Sequence, residues 1–204
     1  MGSEGSGHHA TACLPGPRRY TDPMFEHRRI QHCRRCGARV EYRVPEGDNR
    51  ERAVCTACGE IHYENPINVV GTVPVWGELV LLCRRNIEPR YGLWTLPAGF
   101  LELGESTADG ARRETVEEAG ANIELGALFT VLNVVRVGQL HLFYLARMLD
   151  TGLAPGPETI EARLFREDDL PWDRIAFRTV RQTLEHYFAD RRAGRFDVHV
   201  GDVG

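Results

Sequence analysis

The sequence contains no lysine, and its 25 basic residues are all arginine, set against 29 acidic ones for a formal net charge of −4. The large basic excess that a general nucleic-acid coat uses to displace counterions from phosphates is therefore missing. A small, locally bound anionic substrate stays open. Long apolar runs are missing too: the longest, 79–83 and 140–146, fall far short of the roughly 20 apolar residues of a membrane-spanning helix, so no bilayer crossing is expected. Residues 1–27 lack the continuous apolar core of a secretory signal, which leads to the expectation of a non-secreted, cytoplasmic protein. Met1, Gly2 and Ser6 formally match a short acylation pattern, but Gly5, Gly7, His8 and His9 make this segment read as a flexible leader. What remains is a chain of 204 residues, 42% hydrophobic, enough to bury the core of one ordinary domain beside a small one.

Four of the six cysteines form two tight pairs, Cys33 with Cys36 and Cys55 with Cys58, separated by the 18 residues of 37–54. That spacing belongs to a four-thiolate zinc site. The competing reading is two disulfides, but each would close a very small ring, and a non-secreted chain keeps its thiols reduced. A tetrahedral site saturated by four thiolates has no position for water, so the expected zinc is structural. Two short β-like pieces, 39–44 and 52–54, flank a turn at 45–49 and complete a metal-pinned hairpin. Its apolar content is too low to fold by burial alone, whereas zinc binding contributes about 10–16 kcal/mol in small zinc peptides. Eight arginines against four acids across residues 28–58 give +4, or about +2 once four thiolates and a Zn²⁺ are included. This weak patch has little aromatic interleaving, so nucleic acid is the disfavoured partner, and a dimerisation role in a homodimer or a substrate-loop role stands at least level with it. Cys13 and Cys83 stand alone.

Downstream, β-branched and apolar runs predict a hairpin of 68–75 with 79–84, strands at 128–137 and 139–148 with Gly138 at the turn, and a short strand at 162–165. Val180, Leu184, Tyr187 and Phe188 recur at helical spacing and predict a packing helix over 179–189. The division expected is a leader at 1–27, a zinc ribbon at 28–63, a main domain at 64–190 and a loose tail at 191–204.

The informative segment is 96–121. Ser106 is a good N-cap with Asp109 in the capping-box position, and Gly120 supplies the stop, predicting a helix over 107–119. Ala108, Ala111, Thr115 and Ala119 make one small-residue stripe suited to lying close against a sheet. Glu114, Glu117 and Glu118 gather on a neighbouring face, with Gly110 one turn earlier reading as an opening on that side. Like charges at this spacing repel and weaken a helix, and a divalent cation reverses the sign. Hard carboxylate oxygens suit Mg²⁺ or Mn²⁺. The alternative is a solvated acidic face paired with Arg112 and Arg113. The preceding Gly-Phe-Leu-Glu-Leu-Gly-Glu loop and the cap favour the metal site.

Gly99, Glu105, Arg113-Glu114, Glu117-Glu118 and Gly120, at these spacings, resemble the Nudix box. Thr115 and Ala121 stand where larger aliphatic residues are usual, a departure that bears on packing. The resemblance implies an α/β fold, an α/β/α sandwich with a mixed sheet, behind the zinc ribbon. It implies that Glu114, Glu117 and Glu118 ligate the catalytic metal, with Glu114 a candidate base. Glu105 and Arg113 would orient the cluster, and the backbone carbonyl of Ala98 or Gly99 would add a ligand. Cys33 to Cys58, Tyr63-Glu64-Asn65-Pro66, 92–99, and Pro155-Gly156-Pro157-Glu158 with Glu161 resemble the zinc-ribbon Nudix subgroup. Its plant members are FAD and ADP-ribose pyrophosphohydrolases, which implies a dinucleotide or nucleotide-sugar substrate cut to two monophosphates, with Glu158 or Glu161 an alternative base. NADH pyrophosphatases also join a ribbon to the box, but their Ser-Gln-Pro-Trp-Pro-Phe-Pro motif is missing after Ala121. A catalytically silent nucleotide sensor is the alternative class; such modules often lose box acids, and this sequence keeps them. Trp94 and Phe100 flank the loop as candidates for stacking on a ring, with ordinary packing the better expectation for Trp94. His141 reads as a satisfied core or edge histidine.

Overall fold

The computed structural model describes residues 29–204; the expected leader, with His8, His9 and Cys13, lies outside the described residues. The chain divides into two compact units between His62 and Tyr63.

The first unit is a small antiparallel sheet of β1 (Val40–Arg43), β2 (Arg52–Cys55) and β3 (Ile61–His62), in that order. Val40 faces Cys55 across the first ladder, so the strand pairing itself carries the two cysteine pairs toward each other. Each Cys-x-x-Cys closes with a glycine at positive φ, Gly37 and Gly59, whose N–H groups bond back to the carbonyls of Cys33 and Cys55.

The second unit is an eight-stranded mixed sheet. Its main path runs β10-β5-β4-β9-β8-β11, with β6 paired to β5 and β7 to β4. The strands are β4 (Ile67–Trp76), β5 (Leu79–Arg85), β6 (Trp94–Thr95), β7 (Ala98–Phe100), β8 (Ile123–Val134), β9 (Gln139–Met148), β10 (Thr159–Phe165) and β11 (His199–Asp202). Two helices flank it, α1 (Thr107–Ala119) and α2 (Arg178–Ala193). The two-residue alternation of β5 sorts the faces: Val80 and Leu82 pack with Val180, Leu184 and Phe188 of α2, while Leu81 and Cys83 pack with Ala119 of α1. The fold is the expected α/β/α sandwich. Among the described residues no helix is long and apolar enough to cross a membrane.

The hairpin expected at 68–84 forms only at its tip, where Val75 faces Val80 and Trp76 faces Leu79. Below the tip, residues 94–100 wedge between the two strands, with Cys83 facing Thr95 and Val70 facing Gly99. The displaced side of β4 pairs in parallel with β9 over nine registered positions, a long-range partner that local alternation does not announce. Strand β8 begins at Ile123, earlier than expected, and ends at Val134; residues Val135–Val137 form a 3-10 turn instead of continuing the strand.

The tail is corrected more strongly. Residues 191–204 are not loose: α2 continues to Ala193, and β11 runs parallel along β8, with His199 opposite Thr130 and Val203 buried. An unpaired β8 edge gains hydrogen-bond partners this way, and the Phe129 ring meets the His199 ring edge-on at 5.2 Å.

Candidate active site

Helix α1 starts where expected because Ser106 accepts from the Asp109 N–H at 3.1 Å and donates to its carboxylate at 2.6 Å. It stops at Gly120, whose φ of 62° suits a residue without Cβ. The small stripe lies against the sheet, with Ala111, Thr115 and Ala119 buried. Thr115, the departure from an aliphatic slot, donates to the Ala111 carbonyl at 2.8 Å and meets the Thr72 hydroxyl of β4 at 2.7 Å. Gly110 proves to be a point of close approach and not an opening. A Cβ there would stand 2.8 Å from Glu105 Oε1, 2.9 Å from Val70 and 3.0 Å from Leu101.

Arg113 is the hub. Its Nε and Nη2 grip the two carboxylate oxygens of Glu105 at 3.1 and 2.7 Å. Its Nη1 reaches Glu114 at 2.6 Å and Glu117 at 3.1 Å, and Nη2 also donates to the Phe100 carbonyl at 3.1 Å. One guanidinium thus fixes the loop, two of the helix acids and Glu105 together. The Arg113 hydrogen bonds, joined by the Glu102 N–H, hold the Glu105 carboxyl down to about 2, so it is an acceptor at any working pH.

Glu114 and Glu118 point into the protein. Gly99 lies so close to the Glu114 carboxylate that a Cβ would collide with it. Burial raises the Glu114 carboxyl against the opposing pull of Arg113. Glu118 is only 7% exposed and takes a hydrogen bond from the Ala98 N–H at 3.2 Å; burial pushes its carboxyl up to about 8. Two carboxylates that resist ionisation, Glu114 at Gly99 and Glu118 at the Ala98 N–H, thus meet the same loop, and the exposed Glu117 joins Glu114 through Arg113 Nη1. That resistance is what a hard divalent cation relieves.

The four ribbon sulfurs lie within 4.8 Å of one another, with Cys36 3.5 Å from both Cys55 and Cys58, and Cys33 3.7 Å from Cys58. A tetrahedron with Zn–S bonds of about 2.3 Å has sulfurs about 3.8 Å apart, so the donor set fits zinc. The Arg35 N–H points at the Cys33 sulfur at 3.4 Å, and the N–H groups of Cys58 and Ala57 point at the Cys55 sulfur at 3.4 Å and lower Cys55 to about 6. All four cysteines are free of disulfides.

The family model for the NUDIX domain matches residues 66–186, and the model described as Nudix N-terminal, a zinc ribbon, matches 31–64. The chain belongs to the Nudix family. Its matched parts are the NUDIX domain and the family's zinc ribbon. A NUDIX hydrolase structure from Nitrosomonas europaea is 42% identical with a TM-score of 0.82, covering 85% of this chain and 99% of that one. An ADP-ribose pyrophosphatase from Streptococcus suis is 25% identical with a TM-score of 0.56, covering 67% and 99%. Among curated relatives, the NAD-capped RNA hydrolase NudC of Stutzerimonas stutzeri (strain A1501) is 32% identical over 80% of this chain, and the putative ADP-ribose pyrophosphatase YjhB of Bacillus subtilis (strain 168) is 32% identical over 55%. The chain spans 57% and 56% of the length of these two relatives.

The remaining acids of this Nudix-family chain separate by face. Glu161 on β10 stands opposite Arg84, 3.9 Å from its guanidinium, on the side of the sheet that carries Phe165 and α2. It does not join the α1 cluster. Glu158, in the loop before β10, makes no ion pair among the described residues, yet its negative charge raises both Glu114 and Glu118. Sequence reasoning missed Arg85. Its guanidinium donates to the Pro89 carbonyl at 2.9 Å and lies 5.0 Å over the Phe177 ring, and its charge opposes the rise at Glu118. The available signal was a pair of arginines ending an apolar strand. Trp94 is core, edge-on to Phe165 at 4.9 Å, whereas Phe100 is exposed at the site. His141 is satisfied by Gln139 and Thr179 at 3.0 and 3.1 Å.

Proposed function

We propose that this Nudix hydrolase cleaves the diphosphate of an ADP-containing nucleotide derivative to two monophosphates, with ADP-ribose and FAD as the leading substrates. A nicotinamide dinucleotide is the second reading, favoured by the likeness to a relative named NAD-capped RNA hydrolase. The observation that carries the proposal is the Arg113–Glu105 clamp that also holds Glu114 and Glu117, with Glu114 against Gly99 and Glu118 on the neighbouring Ala98 N–H.

In this reading Glu114, Glu117 and Glu118 hold Mg²⁺ or Mn²⁺, which supplies charge neutralisation of the diphosphate. Arg113, itself held by Glu105, pairs with Glu114 and Glu117 and offsets the mutual repulsion of the acids along α1. Glu158, which makes no ion pair among the described residues and whose charge acts on Glu114 and Glu118, takes the proton of the attacking water at its carboxylate. The water oxygen bonds to one phosphorus as the bridging P–O bond breaks, and the electron pair leaves on the second monophosphate. Zinc in the ribbon is saturated by sulfur and plays no part in the reaction.

A panel of ADP-ribose, FAD, NADH and NAD-capped RNA, each with Mg²⁺ or Mn²⁺, tests the substrate; absence of AMP from all of them would sink it. Glu117→Gln separates an enzyme from a sensor. The loss expected is about 10²-fold or more in kcat, with the fold retained.

A further inference from the structure

Resting on the reading of Glu158 above, we infer that Asn86 is a positioning residue that holds the Glu158 loop as a fixed arm beside the acidic cluster. The loop 154–158 is tied at both ends. On the helix side, the Ala154 N–H donates to the Ala119 carbonyl at 2.8 Å and the Gly156 N–H to the Glu118 carbonyl at 3.3 Å. Gly156 faces the Glu117 carbonyl so closely that no Cβ fits, and the loop therefore rests directly on the last turn of α1, the turn that carries two of the cluster's acids.

On the strand side the tie is Asn86, the residue after β5. Its N–H donates to the Glu158 carbonyl at 2.8 Å, and its side-chain Nδ2 donates to the Pro157 carbonyl at 2.9 Å. Asn86 thus grips the two peptide carbonyls that end the Pro155-Gly156-Pro157-Glu158 run. Pro155 and Pro157 have no N–H, so this stretch has few backbone donors of its own with which to bond across to α1 or β5. The β5 end is itself braced, because Arg85 bonds the Leu93 and Pro89 carbonyls and accepts from the Gly92 N–H at 2.9 Å. A side chain with no ion pair among the described residues is thus presented from a backbone pinned at four points, so Glu158 reaches its place without a closing motion. The side-chain bond of Asn86 is the tie that a substitution removes while leaving its backbone bond intact.

The test is a double-mutant cycle with ADP-ribose and Mn²⁺, combining Asn86→Ala and the near-isosteric Asn86→Asp with Glu158→Gln. Asn86→Ala is expected to lower kcat about 10- to 100-fold with KM within about twofold. In the Glu158→Gln background the same change should cost less than about twofold. Hydrogen exchange of the metal-free protein should show faster exchange across 154–159 in Asn86→Asp, with the thermal midpoint retained. An equal kcat loss in both backgrounds, or full activity of Asn86→Ala and Asn86→Asp while Glu158→Gln is impaired, overturns the role of Asn86 alone. Full activity of Glu158→Gln, or no turnover of ADP-ribose by the wild type, overturns the functional reading and the positioning role with it.

Discussion

Glu118 is a carboxyl whose burial works against the fold. The unfolded chain ionises this carboxyl near 4.5, whereas burial in the folded protein delays ionisation to about 8. Between those values the unfolded state binds fewer protons, so stability falls as pH rises, by up to about 1.4 kcal/mol per pH unit. In zinc-loaded protein without magnesium or manganese, the thermal midpoint should fall across that window. Glu118→Gln should flatten the slope, and added Mn²⁺ should restore the midpoint of the wild type only. A midpoint independent of pH across that window in calorimetry would contradict the burial argument. His141 gives the opposite sign. Burial lowers it to about 4 in the folded protein, so the unfolded chain binds the extra proton first and stability falls as pH drops from 6.5 to 4. His141→Gln should remove that acid-side loss, as read by midpoints between pH 4 and 7.

Helix α1 was legible because its determinants are local. A cap at Ser106, acids at i, i+3 and i+4, and a stop at Gly120 all act within four turns of chain. How the helix seats itself on the sheet was less legible, since that depends on what β4 places opposite. Thr115 illustrates the point: its hydroxyl donates to Ala111 within the helix, but the Thr72 hydroxyl that meets it at 2.7 Å comes from the facing strand. Thr115→Val should cost about 1–3 kcal/mol by leaving the buried Thr72 hydroxyl without its acceptor, and Thr72→Val added to it should recover part of the loss. Denaturant melts of the two single variants and the double decide this; additive losses would mean the pair is not coupled. The 68–84 hairpin was legible in its turn and misleading in its length, because alternation along a strand says which face a residue takes and not which neighbour it pairs with.

Of the two units, one gathers four cysteine sulfurs suited to zinc and the other is built on a layered apolar core. All three tryptophans, Trp76, Trp94 and Trp172, belong to the second unit. Chelating the zinc should therefore unfold residues 29–62, seen as lost protection from hydrogen exchange, while the tryptophan fluorescence transition keeps its midpoint within about 2 °C. A large shift of that transition would show the second unit to depend on the metal. From sequence alone, the cysteine cluster, the acidic helix and the Nudix family are determined, because each is written in spacings of a few residues that a local backbone geometry turns directly into a cluster or an element. Three features wait on the tertiary structure: the pairing of Glu161 with Arg84, the burial of Glu118, and the docking of β11 on β8. Each depends on the pleat of one strand meeting the edge of another far along the chain, and a single-residue bulge at 159–161 is enough to change which face an acid presents.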